Sequence, residues 1–176
     1  AARSDSHPMI WANLLGIPVL IILTMLQIGI VSRTPLLQGT ADLLLLAIIG
    51  WTLQKRVRDG WFWAATAGVL IGLASEISPF VSILIYLLVA ALVQFFKRQV
   101  WQAPLLVMLL LTLLCTLLQH GITLATLIIG GTPLPILDSL SLITLPSILL
   151  NLVLAVPVYI IMADMANWVF PEEIVG

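Results

Sequence analysis

The sequence predicts an all-α integral membrane protein, a bundle of six transmembrane helices, on three observations. Of its 176 residues, 61% are hydrophobic and only 9% are charged, whereas soluble domains carry roughly 25% charged residues. The apolar residues gather into six runs of the length needed to cross a hydrocarbon core of roughly 30 Å. Five of the seven Lys and Arg residues fall in the loops after the second and fourth runs, on one side of the membrane. That side is cytoplasmic by the positive-inside rule. Arg3 agrees with this orientation and Arg33 does not. Both termini are then expected in the cytoplasm.

The elements follow in order. Residues 1–9 are expected to be disordered and stand outside the fold argument, residues 10–169 form a single transmembrane domain, and residues 170–176 form a cytoplasmic tail. The first span, Ile10 to Val31, has Trp11 at its interfacial start and Pro18 as a bend. The second span is Leu36 to Leu53, with Asp42 near its start. The basic cluster Lys55, Arg56 and Arg58 comes next, as a topology signal first and then as a contact for a cytoplasmic protein or an anionic lipid headgroup. Trp61 to Ser75 is the third span. Glu76 to Pro79 is a tight turn in which Ser78 suits an N-cap and Pro79 a first helical turn. The fourth span runs to Phe96. The fifth opens at Trp101 and Pro104 and stops at Gly130 and Gly131. Thr132 to Ile143 reads as a loop on the membrane surface. The sixth span, Thr144 to Trp168, carries Pro146 in its first turn and Pro157 as an interior kink.

Within the third span Ala64, Gly68, Gly72 and Glu76 recur every four residues, on one helix face. Small residues at that spacing allow close backbone approach and mark helix contact faces. The same row is equally the mark of packing within one bundle. The other polar groups sort by depth into the outer half: Asp42, Gln119, His120 and Asn151, with Arg33 at the outer surface as the expected partner of Asp42 or Glu76. Asp164 is the exception, near the inner end of the last span. A buried carboxyl needs a partner or takes up a proton. Gln119, His120, Asn151 and Arg33 are the candidates for an outer polar pocket.

Net charge is −1, which offers nothing to nucleic acid. Cys115 is the single cysteine and reads as a small buried hydrophobe, so no disulfide framework or Cys-rich metal site is expected. A lone His120 without a nucleophile beside it, and without an HExxH, Walker or GxGxxG motif, does not suggest an enzyme. No catalytic residue, metal or cofactor is expected.

Three segments resemble the bacterial rod-shape-determining membrane protein family MreD. Ala41-Asp42-Leu43-Leu44-Leu45-Leu46 is similar to that family's Pro-Asp-Leu-rich opening of the second span, with Ala41 in place of Pro. Gly68 to Glu76 resembles its Gly-xxx-Gly-Leu-xx-Asp segment, with Glu in place of Asp. Leu150-Asn151 to Pro157 resembles its Asn-to-Pro stretch in the last span. The order and spacing of the three agree over about Thr34 to Met165. The resemblance implies a non-enzymatic subunit of the cell-elongation machinery in the bacterial inner membrane. Such a subunit binds the single-span protein MreC and helps link MreB, RodA and penicillin-binding protein 2, so controlling cell shape and peptidoglycan synthesis. It also implies a fold similar to the S-component of energy-coupling-factor transporters. On this reading Ala64, Gly68, Gly72, Glu76 and Asp42 meet the partner. The alternative is an S-component-like membrane protein that binds a vitamin-sized molecule, although of that class's Ala-xxx-Ala pattern on the first span only Ala12 and Gly16 remain.

Overall fold

The computed structural model describes residues 6–29, 38–58, 60–75, 77–97, 103–132 and 135–171. Arg33 and Glu76, two of the candidate site residues, lie outside them, as do Asp59 and Arg98. All regular structure is helical: α1 (Ser6–Gly29), α2 (Leu43–Thr52), α3 (Trp61–Ala74), α4 (Pro79–Lys97), α5 (Pro104–Ile129), a short turn α6 (Ile136–Asp138) and α7 (Leu145–Val169). A π-helical stretch, Ser139–Thr144, joins α6 to α7. α1 starts at Ser6, inside the nine residues expected to be disordered.

Four helical segments are long and apolar enough to cross a membrane: Ile10–Gly29, Pro79–Lys97, Pro104–Ile129 and Ile136–Val169. Their outer faces carry large exposed hydrophobics such as Met25, Leu106, Leu149 and Val153, while Gln27, Thr112, Thr116, Ser147 and Asn151 are buried. Apolar outside and polar inside is the arrangement of a multi-pass membrane protein, whose surface faces hydrocarbon.

The other two apolar helices are shorter, α2 well short of the expected Leu36 to Leu53 and α3 within one residue of the expected Trp61 to Ser75. α2 has 10 residues and α3 has 14, about 15 Å and 21 Å at 1.5 Å per residue. α2 lies against α7, α4, α5 and α1, and every residue from Leu44 to Thr52 is buried. A helix that is apolar all round is a core helix, and α2 is the axis of this bundle. It is cut short because Asp42 is extended (φ −115°, ψ 94°) and caps the helix, accepting a hydrogen bond from the Leu45 N–H.

α3 and α4, consecutive in the chain, pack closely against each other as a helical hairpin. α4 begins at Pro79 as expected, and the Ser78 carbonyl accepts its first helical bond, from Ser82 N–H at 3.2 Å. The small residues of α3 face α4. A Cβ on Gly68 would lie 2.5 Å from Ile83 Cα, and one on Gly72 would lie 2.6 Å from Pro79 Cα.

The segment expected to be a surface loop is largely helical. Residues 136–144 run directly into α7, giving one 34-residue apolar segment. Pro146 has no N–H for the Leu142 carbonyl. That carbonyl instead accepts from the Gln38 N–H at 3.2 Å, so the partner supplied from elsewhere in the chain lets the helix begin before its proline. The stop after α5 is as expected. Thr132 N–H bonds Leu127 O (3.1 Å) and Gly131 N–H bonds Ile128 O (3.0 Å), with Gly131 at φ +86°, the two bonds of a Schellman motif.

At the end of the bundle opposite the α3–α4 turn, Trp51 stacks on Trp63, with ring centroids 4.4 Å apart. Trp63 reaches this place because α1 has no side chain there: a Cβ on Gly16 would fall 2.6 Å from the indole. Gly16→Val should therefore displace Trp63 and cost about 1–3 kcal/mol, the usual range for overpacking. A shift of intrinsic tryptophan emission relative to wild type checks the displacement.

Candidate functional site

The polar residues of the interior converge on the head of α2. Asp42 is the centre. Its Oδ1 accepts the Leu45 N–H at 2.8 Å, the Tyr86 hydroxyl of α4 donates to the carboxylate at 3.0 and 3.2 Å, and Gln119 Nε2 of α5 donates to Oδ2 at 2.7 Å. The carboxylate is thus held by three neutral donors and by the positive end of the α2 dipole. No Lys or Arg bonds it among the described residues; its expected partner, Arg33, lies outside them.

The chain leading into Asp42 is extended, and it is held on both sides. Alternate N–H groups bond the start of α7. Gln38 reaches Leu142 O, Thr40 reaches Ser147 Oγ at 3.1 Å, and Asp42 reaches Asn151 Oδ1 at 2.7 Å. Residues i and i+2 of an extended chain share a face, and Ser147 and Asn151 are one helical turn apart. Gly39 permits the contact, since a Cβ there would lie 2.6 Å from Ser147 N. From the other side Gln27 of α1 donates to Ala41 O at 2.6 Å and accepts from the Leu43 N–H at 2.8 Å. Asn151 Nδ2 completes the layer by donating to Thr116 Oγ1 of α5 at 3.0 Å. Non-helical backbone at membrane depth is tolerated only where protein satisfies it, and these side chains do so.

Gln27 and Tyr86 were not among the sequence candidates. Each had a signal: an amide near the end of an otherwise apolar run, and an aromatic ring with a polar tip among aliphatic neighbours. Gln27→Leu is expected to strip Ala41 O and Leu43 N–H of their partners and to cost about 2–6 kcal/mol, from roughly 1–3 kcal/mol per stranded buried group. Thermal unfolding in detergent, followed by exposure of the buried Cys115 thiol to a maleimide dye, measures it.

Two of the expected roles change. Asp42, taken as partner-binding, is an internal hub with its acceptor sites filled from α2, α4 and α5. Of the row expected to seat a partner's helix, Gly68 and Gly72 are filled by α4 of the same chain, because backbone can approach that closely only where Cβ atoms are missing; Ala64 is buried in the core of the bundle. Glu76, the last of the row, lies outside the described residues.

Of the expected pocket residues, Gln119 and His120 line a cavity of about 340 Å³ between α3, α4, α5 and the π-helical turn. Asn151 lies behind it in the hub and does not line it. His120 Nδ1 is 3.2 Å from Thr144 Oγ1. Asp42 bonds Tyr86 and Gln119 rather than His120, so no carboxylate–imidazole relay forms. A buried acceptor, Gln119 Oε1, has no hydrogen-bond partner among the described residues.

At the opposite end the basic loop is tied down. Lys97 Nζ donates to Gln54 O (2.5 Å) and Val57 O (2.6 Å), the Arg56 guanidinium donates to Phe170 O, and Gln94 Nε2 donates to Arg58 O at 2.9 Å. Lys55, Arg56 and Lys97 line a second cavity, of about 360 Å³. Lys55 and Arg58 are exposed. Comparison with protein-family models, with curated proteins and with solved structures finds no match to this chain.

Proposed function

We propose that this chain is a non-enzymatic scaffold subunit of the bacterial cell-elongation complex, of the MreD type. It binds MreC and, directly or through MreC, helps hold MreB, RodA and penicillin-binding protein 2 to peptidoglycan synthesis. The observation that carries the reading is how the three segments resembling that family relate in space. Asp42 of the first and Asn151 of the third are joined by a 2.7 Å hydrogen bond. The glycines of the second seat α4, the helix that brings Tyr86 to Asp42. Motifs far apart in the chain form one unit whose carboxylate is held by three structural donors from α2, α4 and α5, which suits a platform better than a reaction centre.

The proposal includes six crossings in the inner membrane, both termini in the cytoplasm and the S-component-like fold. The short α2 is compatible with a crossing. Ten helical residues at 1.5 Å cover about 15 Å, and the non-helical lead-in Gly39 to Asp42 adds up to about 13 Å at 3.3 Å per residue, together close to the thickness of the hydrocarbon core. Lys55, Arg56 and Arg58 then lie on the cytoplasmic side, the side of its proteins and of anionic lipid headgroups. Because α4 occupies the small-residue row, the MreC helix docks on another face, among the lipid-exposed side chains.

Affinity purification from membranes of cells that carry the cognate MreC at its native level tests the reading. MreC should co-elute, and depleting this chain should round rod-shaped cells. Recovery of a folded chain, with Cys115 protected, but without MreC would overturn the proposal.

A further inference from the structure

The cavity of about 360 Å³, at the far end of α2 from Asp42, lies where three spans finish. Lys97 is the last residue of one, Pro104 is the first of the next, and Ala166 and Asn167 stand in the last turn of the third. This level is the edge of the hydrocarbon core, where the polar headgroup region begins. The volume lies within the roughly 300–1,000 Å³ typical of small-molecule sites.

The lining is cationic. Lys55, Arg56 and Lys97 contribute to it, and no Asp or Glu does among the described residues. Lys97 is held in place: the residue is half-buried, and its ammonium donates to Gln54 O and Val57 O. An ammonium has three donors, so two carbonyls leave one N–H over. Being neutral, they also leave the charge uncompensated, and a partly buried charge is costly until an opposite one meets it. Tyr159 and Asn167 stand in the same lining, with a hydroxyl and an amide that bond nothing else among the described residues. A cation flanked by neutral O–H and N–H donors is a donor set for a phosphate oxygen. The aliphatic part of the wall, with Leu53 and Val107, suits the glycerol and first methylenes of a lipid and offers nothing to a free hydrated ion.

We propose that this cavity binds the phosphate of one anionic membrane phospholipid, with Lys97 as its central cation. Basic pockets between spans are a recurring form of such sites. The proposal goes beyond the contact expected of the basic loop. It places the ligand in a defined cavity, through Lys97, Tyr159 and Asn167, and leaves out Arg58, which does not line it. It does not rest on the scaffold reading, since the site lies within one chain and needs no MreC. A lipid held there would tie the loop after α2 to α4, α5 and α7, all of which contribute to the lining.

The test uses the purified full chain, stripped of lipid in a neutral detergent. It is titrated with phosphatidylglycerol and with phosphatidylcholine of the same acyl chains, and followed by native mass spectrometry. One phosphatidylglycerol per chain should bind at least about tenfold more tightly than phosphatidylcholine, the scale of one charge-assisted contact. Lys97→Gln should remove that preference. Tyr159→Phe keeps the ring and loses only the hydroxyl, so it should weaken phosphatidylglycerol about fivefold, as for one neutral hydrogen bond. Asn167→Trp, at an exposed position of the lining, should block the cavity. Arg58→Gln should bind as wild type does. Protection of Cys115 from a maleimide dye shows which variants are folded; if Lys97→Gln is not, Tyr159→Phe and Asn167→Trp decide. Equal affinity for the two lipids in the wild type, or a preference that survives the folded variants of the cavity, would overturn the proposal. So would a loss in Arg58→Gln as large as in the cavity variants, which is the mark of diffuse attraction to a basic surface. Displacement of the lipid by inorganic phosphate at equal concentration would reveal a free-anion site and overturn the lipid assignment. Failure of MreC to co-purify leaves each of these outcomes unchanged, so the two readings fail separately.

Discussion

Asp42→Ala should destabilise the fold by about 3–5 kcal/mol, the sum of a lost N-cap and of two buried donors left stranded. The donors are the Tyr86 hydroxyl, on a residue only 1% exposed, and Gln119 Nε2. The Tyr86 hydroxyl is enclosed within the bundle and loses its acceptor outright, while Gln119, half-buried at the edge of the 340 Å³ cavity, loses the group that orients it. The change is expected to loosen the head of α2 and, through it, the attachment of α4 and α5. Asp42→Asn separates shape from charge. It keeps an acceptor for the Leu45 N–H and presents an amide that Tyr86 can meet with its lone pairs, so it should recover at least half of the loss. Reversible unfolding in mixed micelles, read by Cys115 labelling, gives both values. An Asp42→Ala protein within about 0.5 kcal/mol of wild type, the usual range for inconsequential surface changes, would show that the carboxylate is not the hub.

Gly68→Leu should prevent the α3–α4 hairpin from closing. The obstacle at 2.5 Å is the Ile83 Cα, with Ile83 N at 3.0 Å. Backbone cannot rotate away as a side chain can, so the two helices must part. The cost is expected at or above the upper end of the ~1–3 kcal/mol seen for overpacked cores, and Gly68→Ala should already approach it. The damage should spread to Asp42, because Tyr86 sits one helical turn beyond Ile83 on the displaced helix. Gly121→Ala is the matched control: beyond the neighbouring backbone of its own helix, no described atom lies within 4 Å of that Cβ, so the change should be neutral or gain up to about 1 kcal/mol from helix propensity. Accumulation in the membrane and Cys115 reactivity compare the three. A well-folded Gly68→Leu protein would mean that α3 and α4 do not meet here. The same contact governs any partner assay. Under the proposed function, loss of MreC from Gly68→Leu or Gly72→Leu would report a broken hairpin, so the proposed MreC face is to be mapped by substituting exposed residues such as Leu73 or Val153.

The all-helical class, the apolar runs and several of their ends are legible in the residues alone. Pro79 starts a helix because φ near −65° suits its first turn and its missing N–H is not needed there. Gly131 ends one because it adopts positive φ at little cost. These are local effects, legible in a few neighbouring residues. Asp42 before four leucines was a local signal too, that of an N-cap, but the apolar residues on both sides of it extend the run and concealed the break in helix. Only the tertiary structure decided that α2 is the buried axis. In a bilayer, lipid is as apolar as leucine, so the side chains of a core helix and those of a lipid-facing one carry the same hydrophobicity and no periodicity separates them. The extended lead-in to α2 was hidden for a related reason. Its backbone is satisfied by Gln27, Ser147 and Asn151, which lie up to 109 positions away, and a sequence shows such partners only after the fold has brought them together. The small-residue row marked a true close contact, but spacing alone could not say whether the helix received there came from another protein or from the next turn of the same chain.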